Sequence, residues 1–180
     1  IDRDISNLVA QAGAVDILVN NAAQSQIKDF EQISRSDFED VMRVNLWAPF
    51  RLAQLVLPHM LSQAWGRIIN VASIGGQWGG TRQIHYASSK AGLIGLTRSI
   101  AKTYASSGIT ANAVSPGLIE TEVVKSLLTS EEIRTATDAI PLQRIGEVAE
   151  VADAVAFLVS DLSEYITGQT LNINGGMLFT

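Results

Sequence analysis

Apolar residues along this chain fall into two alternating patterns. Four short runs rich in Ile, Val and Leu read as buried parallel strands: Val15–Val19, Arg67–Val71, Ile109–Val114 and Thr170–Ile173. Between them lie longer stretches whose apolar residues repeat at helical spacing. Leu8 and Val9 belong to a short opening helix. Ser34 with Asp37 has the form of an N-terminal capping box ahead of Phe38, Val41, Met42, Val44 and Asn45. That pattern runs on through Leu52, Leu55 and Val56 to about Leu61. Pro49 lies inside it and predicts a break or kink nearby, and Pro58 predicts another in the last turns. Further helices are expected over Tyr86–Ala105, with Gly108 as a stop, and over Val148–Val159.

Strand–helix alternation implies an α/β domain with right-handed crossovers onto one parallel sheet. One domain spanning residues 1–180 accounts for the whole pattern, with no repeat or linker. The exception is the stretch from Leu118 to Arg144, which is polar, weakly periodic and closed by Pro141. It follows the end of a strand, where open α/β sheets bind ligands, and is expected to be a mobile substrate lid.

Composition narrows the function. The 180 residues are 47% hydrophobic and 17% charged, a globular balance. A net charge of −5 without a basic run argues against nucleic-acid binding. The chain has no Cys, and His59 and His85 lack metal-ligand spacing, so no metal is expected. No apolar run approaches the roughly 20 residues of a membrane span, and no signal peptide is visible. A soluble cytoplasmic domain without a membrane partner is the expectation.

Candidate chemistry gathers around Tyr86-Ala87-Ser88-Ser89-Lys90. On a helix, Tyr86 and Lys90 share one face. A phenol ordinarily titrates near pH 10, and a neighbouring ammonium lowers that value, which lets tyrosine exchange a proton with an alcohol or carbonyl. Ser73 ends a strand upstream and could hold the substrate oxygen beside it. Gly75, Gly76, Gly79 and Gly80 lie in the intervening loop and permit close approach of backbone to a ligand. Asn20-Asn21-Ala22-Ala23 directly follows the first strand, either to satisfy backbone groups or to reach a nucleotide. Pro116-Gly117 allows a tight turn after the third strand, with Thr121 close behind.

Together these features resemble the short-chain dehydrogenase/reductase family over almost the whole chain. Asn20–Ala23 resembles its N-N-A-G motif with Ala in place of Gly, and Val44-Asn45-Leu46 matches the position of its structural and catalytic Asn. Ser73, Tyr86 and Lys90 match its catalytic Ser and Y-x-x-x-K. Pro116–Thr121 resembles P-G-x-x-x-T, and Asn174-Gly175-Gly176 resembles a D-G-G with Asn for Asp. The resemblance implies a Rossmann-like doubly wound parallel sheet, NAD or NADP as cofactor, and a small-molecule carbonyl or alcohol substrate. It implies Tyr86 as general acid or base and Lys90 as the residue that lowers its pKa and binds the nicotinamide ribose. Ser73 would polarise the reacting oxygen, and Asn45 would hold a relay water through a distorted helix backbone. Asn20 and Ala22 would lie on the adenosine side, and Pro116, Gly117, Ile119 and Thr121 on the nicotinamide side. Association through the two long helices and the C-terminal region implies a homotetramer or dimer.

The family's G-x-x-x-G-x-G, and the residue after it that selects the cofactor, have no match. By family order the first strand here is the fourth, so the expectation is the C-terminal part of the fold alone, with an open apolar edge at Val15–Val19. Two readings of function follow: an alcohol/carbonyl oxidoreductase, of the kind that 3-oxoacyl-carrier-protein reductases and sugar or polyol dehydrogenases resemble, or a non-catalytic assembly module that keeps the scaffold. Trp78 and Gln83 are candidate substrate contacts, the first against a sugar face, the second for hydroxyls or a carboxylate. Arg82 is solvated or pairs with a subunit, His59 lies at the surface or an interface, and His85 points to another face of the helix from Tyr86.

Overall fold

The computed structural model describes residues 2–122, 124 and 129–180. Four parallel strands form one sheet in the order β1 (Ile17–Asn20), β2 (Gly66–Val71), β3 (Ile109–Pro116) and β4 (Thr170–Ile173). The α/β architecture of the expectation holds. β2 and β3 are buried nearly end to end, as their apolar runs require, whereas β1 and β4 are half-exposed. β1 forms one edge of this sheet, with Ile17 and Val19 on its exposed side.

Alternation along the strands assigns each residue to a face. On one face Ile68, Ile109 and Ala111 meet Ala53, Val56, Leu57 and Met60 of α3 (Ala48–Gln63) and Ile100 and Ala101 of α5 (Ile84–Tyr104). Val9 of α1 (Asp2–Ala12) and Leu18 of β1 pack against the same cluster. On the other face Ile69 and Val114 pack against Leu158 of α7 (Val148–Val159), the helix whose bounds the sequence predicts. This division corrects one expectation. All three crossovers step in the same direction across a parallel sheet, yet α3 and α5 cover one face and α7 the other. The third crossover therefore has the opposite hand to the first two. Two central strands buried on both faces need a helix on each, and α7 meets that need.

The long helix predicted through Pro49 is three pieces. Ser34 opens α2 (Arg35–Met42) with its hydroxyl on the Asp37 N–H, and Asp37 bonds back to the Ser34 N–H. A π-helical turn over Arg43–Trp47 follows, then α3. The break falls ahead of Pro49, which is accommodated in the first turn of α3 where a missing N–H costs nothing. Pro58 stays inside α3.

Between α5 and β3, a short 3₁₀ turn ends at Gly108 with φ +80°. A Cβ there would lie 2.0 Å from the Ala64 carbonyl oxygen. Gly108→Ala is expected to destabilise the fold by about 2 kcal/mol or more and to lower Tm by roughly 4–8 °C. An unchanged melting temperature would show that the turn tolerates a side chain.

Candidate active site

The C-terminal ends of all four strands open onto one cleft of about 1060 Å³, where open α/β sheets place their ligands. Ser73, Trp78, Gln83, Tyr86, Lys90, Pro116, Gly117, Ile119 and Thr121, dispersed in sequence, all line it.

Ser73 stands two residues beyond β2, and its turn is tied to β3 by Ala72 N–H on Val114 O (2.8 Å) and Ile74 N–H on Pro116 O (3.0 Å). Its hydroxyl accepts from the Gly75 N–H at 3.1 Å and shares the cleft lining with the Tyr86 phenol. The short helix α4 (Gly75–Trp78) then packs on α5 so closely that a Cβ at Gly76 would lie 2.8 Å from the Lys90 carbonyl carbon. Behind α4, the Gln77 amide donates at 2.6 Å both to Ser115 Oγ of β3 and to Asn172 Oδ1 of β4. The wall that carries Ser73 and Trp78 is thereby pinned to two strands.

Lys90 is 2% exposed and donates from Nζ to the Val71 carbonyl at 2.6 Å. Burial brings its ammonium down to about 8. Burial also pushes the Tyr86 phenol up, with the nearby Ser73 hydroxyl acting against that rise. The expected lowering of Tyr86 by Lys90 does not dominate in this structure. The ammonium lies 5.7 Å from the centre of the phenol ring and points to a backbone carbonyl, so desolvation decides the direction for both groups.

Asn45 sits in the π turn, fully buried and outside the cleft lining. Its side chain is a clamp. It accepts from the Gln24 N–H (2.8 Å) and donates to Gln24 O (2.9 Å) and Ser89 Oγ (3.0 Å), while Ser89 Oγ donates to Tyr86 O (2.7 Å). The loop after β1 is thus joined to the turn that holds the tyrosine.

Asn20 is turned into the protein, where Nδ2 donates to Asn70 Oδ1 at 2.8 Å and Asn70 in turn donates to Thr97 Oγ1 at 2.8 Å. Asn20 and Ala22, expected on the adenosine side, are outside the cleft lining, and their neighbours Asn21 and Ala23 line it instead. The pair's side chains divide because successive residues leave a strand in opposite directions. Asn70 was legible as a polar residue within a strand otherwise buried throughout. Gln77, a polar loop residue that could have read substrate, is outside the cleft lining and bonds strands instead, and neither this role nor that of Ser89 had a signal, since their partners are distant in sequence.

Of the remaining polar candidates, Arg82, His59 and Gln83 have partners within the chain, whereas neither ring nitrogen of His85 is hydrogen-bonded. Arg82, expected in solvent or at a subunit contact, adopts φ +56° and donates to Asp29 at 2.9 Å. His59 pairs with Asp16 at 2.9 Å, and the Gln83 amide donates to Ser25 Oγ at 3.0 Å. His85 is fully buried. Among the described residues no group of His, Cys, Asp and Glu could hold a metal, and no helix is long and apolar enough to cross a membrane.

Ser73, the half-buried Tyr86 and the buried Lys90 thus meet in one cleft at the strand ends. A family model described as enoyl-(acyl carrier protein) reductase matches residues 1–178. The 3-oxoacyl-[acyl-carrier-protein] reductase of Vibrio cholerae is 45% identical over 98% of this chain and 72% of its own length. Nodulation protein G of Azospirillum brasilense is 41% identical over 96% of this chain and 70% of its own. Among solved structures, a putative gluconate dehydrogenase from Agrobacterium tumefaciens superposes with a TM-score of 0.94 at 29% identity, covering 100% of this chain and 73% of that one. A gluconate 5-dehydrogenase from Burkholderia cenocepacia, in complex with NADP and tartrate, gives 0.90 at 34% identity over 98% of this chain and 69% of that one. The chain belongs to the short-chain dehydrogenase/reductase family of NAD(P)-dependent enzymes.

Burying the Lys90 charge makes stability depend on pH. Its folded pKa, about 8, lies below the ordinary 10.5 of an unfolded lysine. Below pH 8 both states hold the proton and the full cost of burial applies. Between pH 8 and 10.5 the unfolded state binds more protons, so this cost is relieved as pH rises. A Lys90→Met variant is expected to be more stable than wild type at pH 7, with an advantage that shrinks towards pH 9.5 in parallel thermal melts. A constant difference across that range would show that Lys90 is not buried as a cation.

Proposed function

We propose that this chain interconverts a secondary alcohol and a carbonyl with NAD or NADP. The observation that carries the reading is the convergence of Ser73, the Tyr86 phenol and the buried Lys90 ammonium on one cleft. The residues present fit the nicotinamide half of the cofactor. Lys90 spends one of its three protons on Val71 and keeps two for ribose hydroxyls. Pro116, Gly117 and Ile119 offer a mainly apolar wall, with Thr121 near its end. Asn20 and Ala22 stay with the adenosine side in this reading, acting through the loop that exposes Asn21 and Ala23. When bound, the nicotinamide supplies or accepts the hydride.

The protein's part is the proton. In reduction the Tyr86 phenol donates to the substrate oxygen, and in oxidation the phenolate takes the proton back. Ser73 holds that oxygen within reach. The Lys90 cation favours the phenolate, opposing the desolvation that raises the phenol. Asn45 acts through its π turn, whose distorted backbone is the place for a water that passes protons to Lys90. Of residues 118–144, the substrate lid of this reading, Leu118, Ile119, Thr121 and Val124 line the cleft and a capped helix, α6 (Ser130–Asp138), follows, while residues 123 and 125–128 lie outside the described residues.

Tyr86→Phe removes the proton and keeps the ring. It is expected to lower kcat roughly 100- to 10,000-fold while nicotinamide affinity, measured by calorimetric titration, changes little. An unchanged rate would take Tyr86 out of the mechanism. Failure of the wild-type chain to bind either nicotinamide would favour the assembly-module reading instead.

The enzyme of this reading is a cytoplasmic homo-oligomer, a tetramer or dimer, using the soluble nicotinamide pool. Support for association comes from an apolar groove on α2, the π turn and α3, lined by Phe38, Met42, Leu46, Trp47 and Phe50 with only Glu39 and Arg43 as charged members. Trp47 and Phe50 stack at 5.5 Å and remain 42% and 37% exposed. Sedimentation is expected to show an oligomer that Trp47→Glu dissociates. A wild-type monomer at micromolar concentration would overturn this part.

A further inference from the structure

We infer that Met177, mounted on the Asn174-Gly175-Gly176 turn, is a cofactor-contacting residue whose thioether packs against the nicotinamide end of the dinucleotide. The inference rests on the oxidoreductase reading and adds to it a residue from the far end of the chain.

The turn after β4 brings one side chain back to the cleft. Met177 N–H donates to Asn174 O at 3.1 Å, which reverses the chain over four residues. Gly175 and Gly176 take φ +62° and +89°, the left-handed region that glycine enters without strain. Asn174 is 9% exposed and braces the turn from inside. Its Oδ1 accepts from the Gly176 N–H at 3.0 Å, and its Nδ2 donates to Leu178 O at 3.1 Å. Met177 is the residue between those two contacts.

Neighbours hold the turn from both sides. On one, Leu142 N–H donates to Gly175 O at 3.1 Å, and a Cβ at Gly175 would lie 2.7 Å from Ile140 Cγ2. On the other, Gly117 N–H donates to Ile173 O at 2.9 Å. A Cβ at Gly117 would lie 2.8 Å from Asn174 Cβ and 3.1 Å from Met177 Sδ. The thioether can therefore lie against the Pro116-Gly117 turn because Gly117 has no side chain. Met177 is positioned by these contacts before a ligand arrives.

From this mount Met177 lines the cleft together with Pro116, Gly117 and Ile119, the residues assigned above to the nicotinamide half of the cofactor. It is half-buried, so part of its surface is left for a ligand. A thioether is polarisable and packs favourably against aromatic rings. The oxidised nicotinamide ring is flat and aromatic, which is the chemistry such a side chain fits. The chain's other two methionines lie elsewhere: Met60 is fully buried in the core, and Met42 lines the outer apolar groove.

That separation makes the contact directly observable. The test is NMR of the whole chain with isotope-labelled methionine methyl groups, titrated with NAD, NADP and nicotinamide mononucleotide, with calorimetry in parallel. ADP-ribose, which lacks the nicotinamide ring, is the control. The Met177 signal, identified by its loss in Met177→Leu, is expected to shift with the nicotinamide compounds and not with ADP-ribose, while Met42 and Met60 stay still. Met177→Ala is expected to weaken nicotinamide binding roughly three- to tenfold, and Met177→Leu to recover part of the loss. Gly175→Ala disturbs the mount without lining the cleft and is expected to weaken binding in the same direction. Calorimetric binding with an unmoved Met177 signal overturns the contact while upholding the oxidoreductase reading. So does an equal shift with ADP-ribose, or unchanged affinity in Met177→Ala. If no nicotinamide compound binds, the contact and the oxidoreductase reading fail together.

Discussion

A single buried charge organises this molecule. Taking an ammonium out of water costs several kcal/mol unless hydrogen bonds compensate, and the Lys90 ammonium has the Val71 carbonyl at 2.6 Å. That contact fastens the first turns of α5 to the end of β2. α4 can then lie against the Lys90 backbone only because Gly76 has no side chain. Ser73, at the start of α4, and Tyr86, one turn before Lys90, are brought together by the same packing. The meeting of Ser73, Tyr86 and Lys90 is thus a by-product of how the charge is housed, and the directions in which burial shifts Tyr86 and Lys90 follow from the housing rather than from the sequence motif.

A second constraint acts within the sheet. Asn20 and Asn70 are direct partners in the β1–β2 register, and their side chains bond to one another on the face that α5 covers. In a strand buried on both sides, a polar residue must find a partner or forfeit its solvation. Sliding β1 by one residue would place Asn20 on the wrong face and leave Asn70 with an apolar neighbour. The ladder therefore specifies one pairing where parallel apolar strands alone would permit several, and it sets the point at which the chain leaves β1 for the cleft.

Features that depend on neighbours in sequence were legible. The Ser34–Asp37 cap, the bounds of α7 and β4, and the Gly108 stop each rest on local chemistry, and all appear in the structure. So were the residues that line the cleft after β2 and β3, because strand ends converge in any open α/β sheet. What escaped depends on the third dimension. The hand of the last crossover follows from which sheet face lacked cover. The inward turn of Asn20 follows from strand parity one residue before the chain bends away. The bridge from Gln77 to Asn172 spans 95 residues, beyond any local pattern. The raised phenol of Tyr86 follows from burial, to which the i, i+4 spacing of Tyr and Lys is blind.

The π turn over Arg43–Trp47 has a geometrical effect on everything that follows it. One extra residue in a helical turn rotates the rest of the helix by about 100° relative to an uninterrupted one. Asn45, in the middle of the turn, looks inward to Gln24 and Ser89, while Trp47 at its end and Phe50 beyond it look outward. The turn works as a phase shifter: it lets a single stretch of chain obey the demands of the buried interior at one end and of an outer apolar face at the other. A one-residue deletion there would put the two surfaces out of step without altering a residue in either.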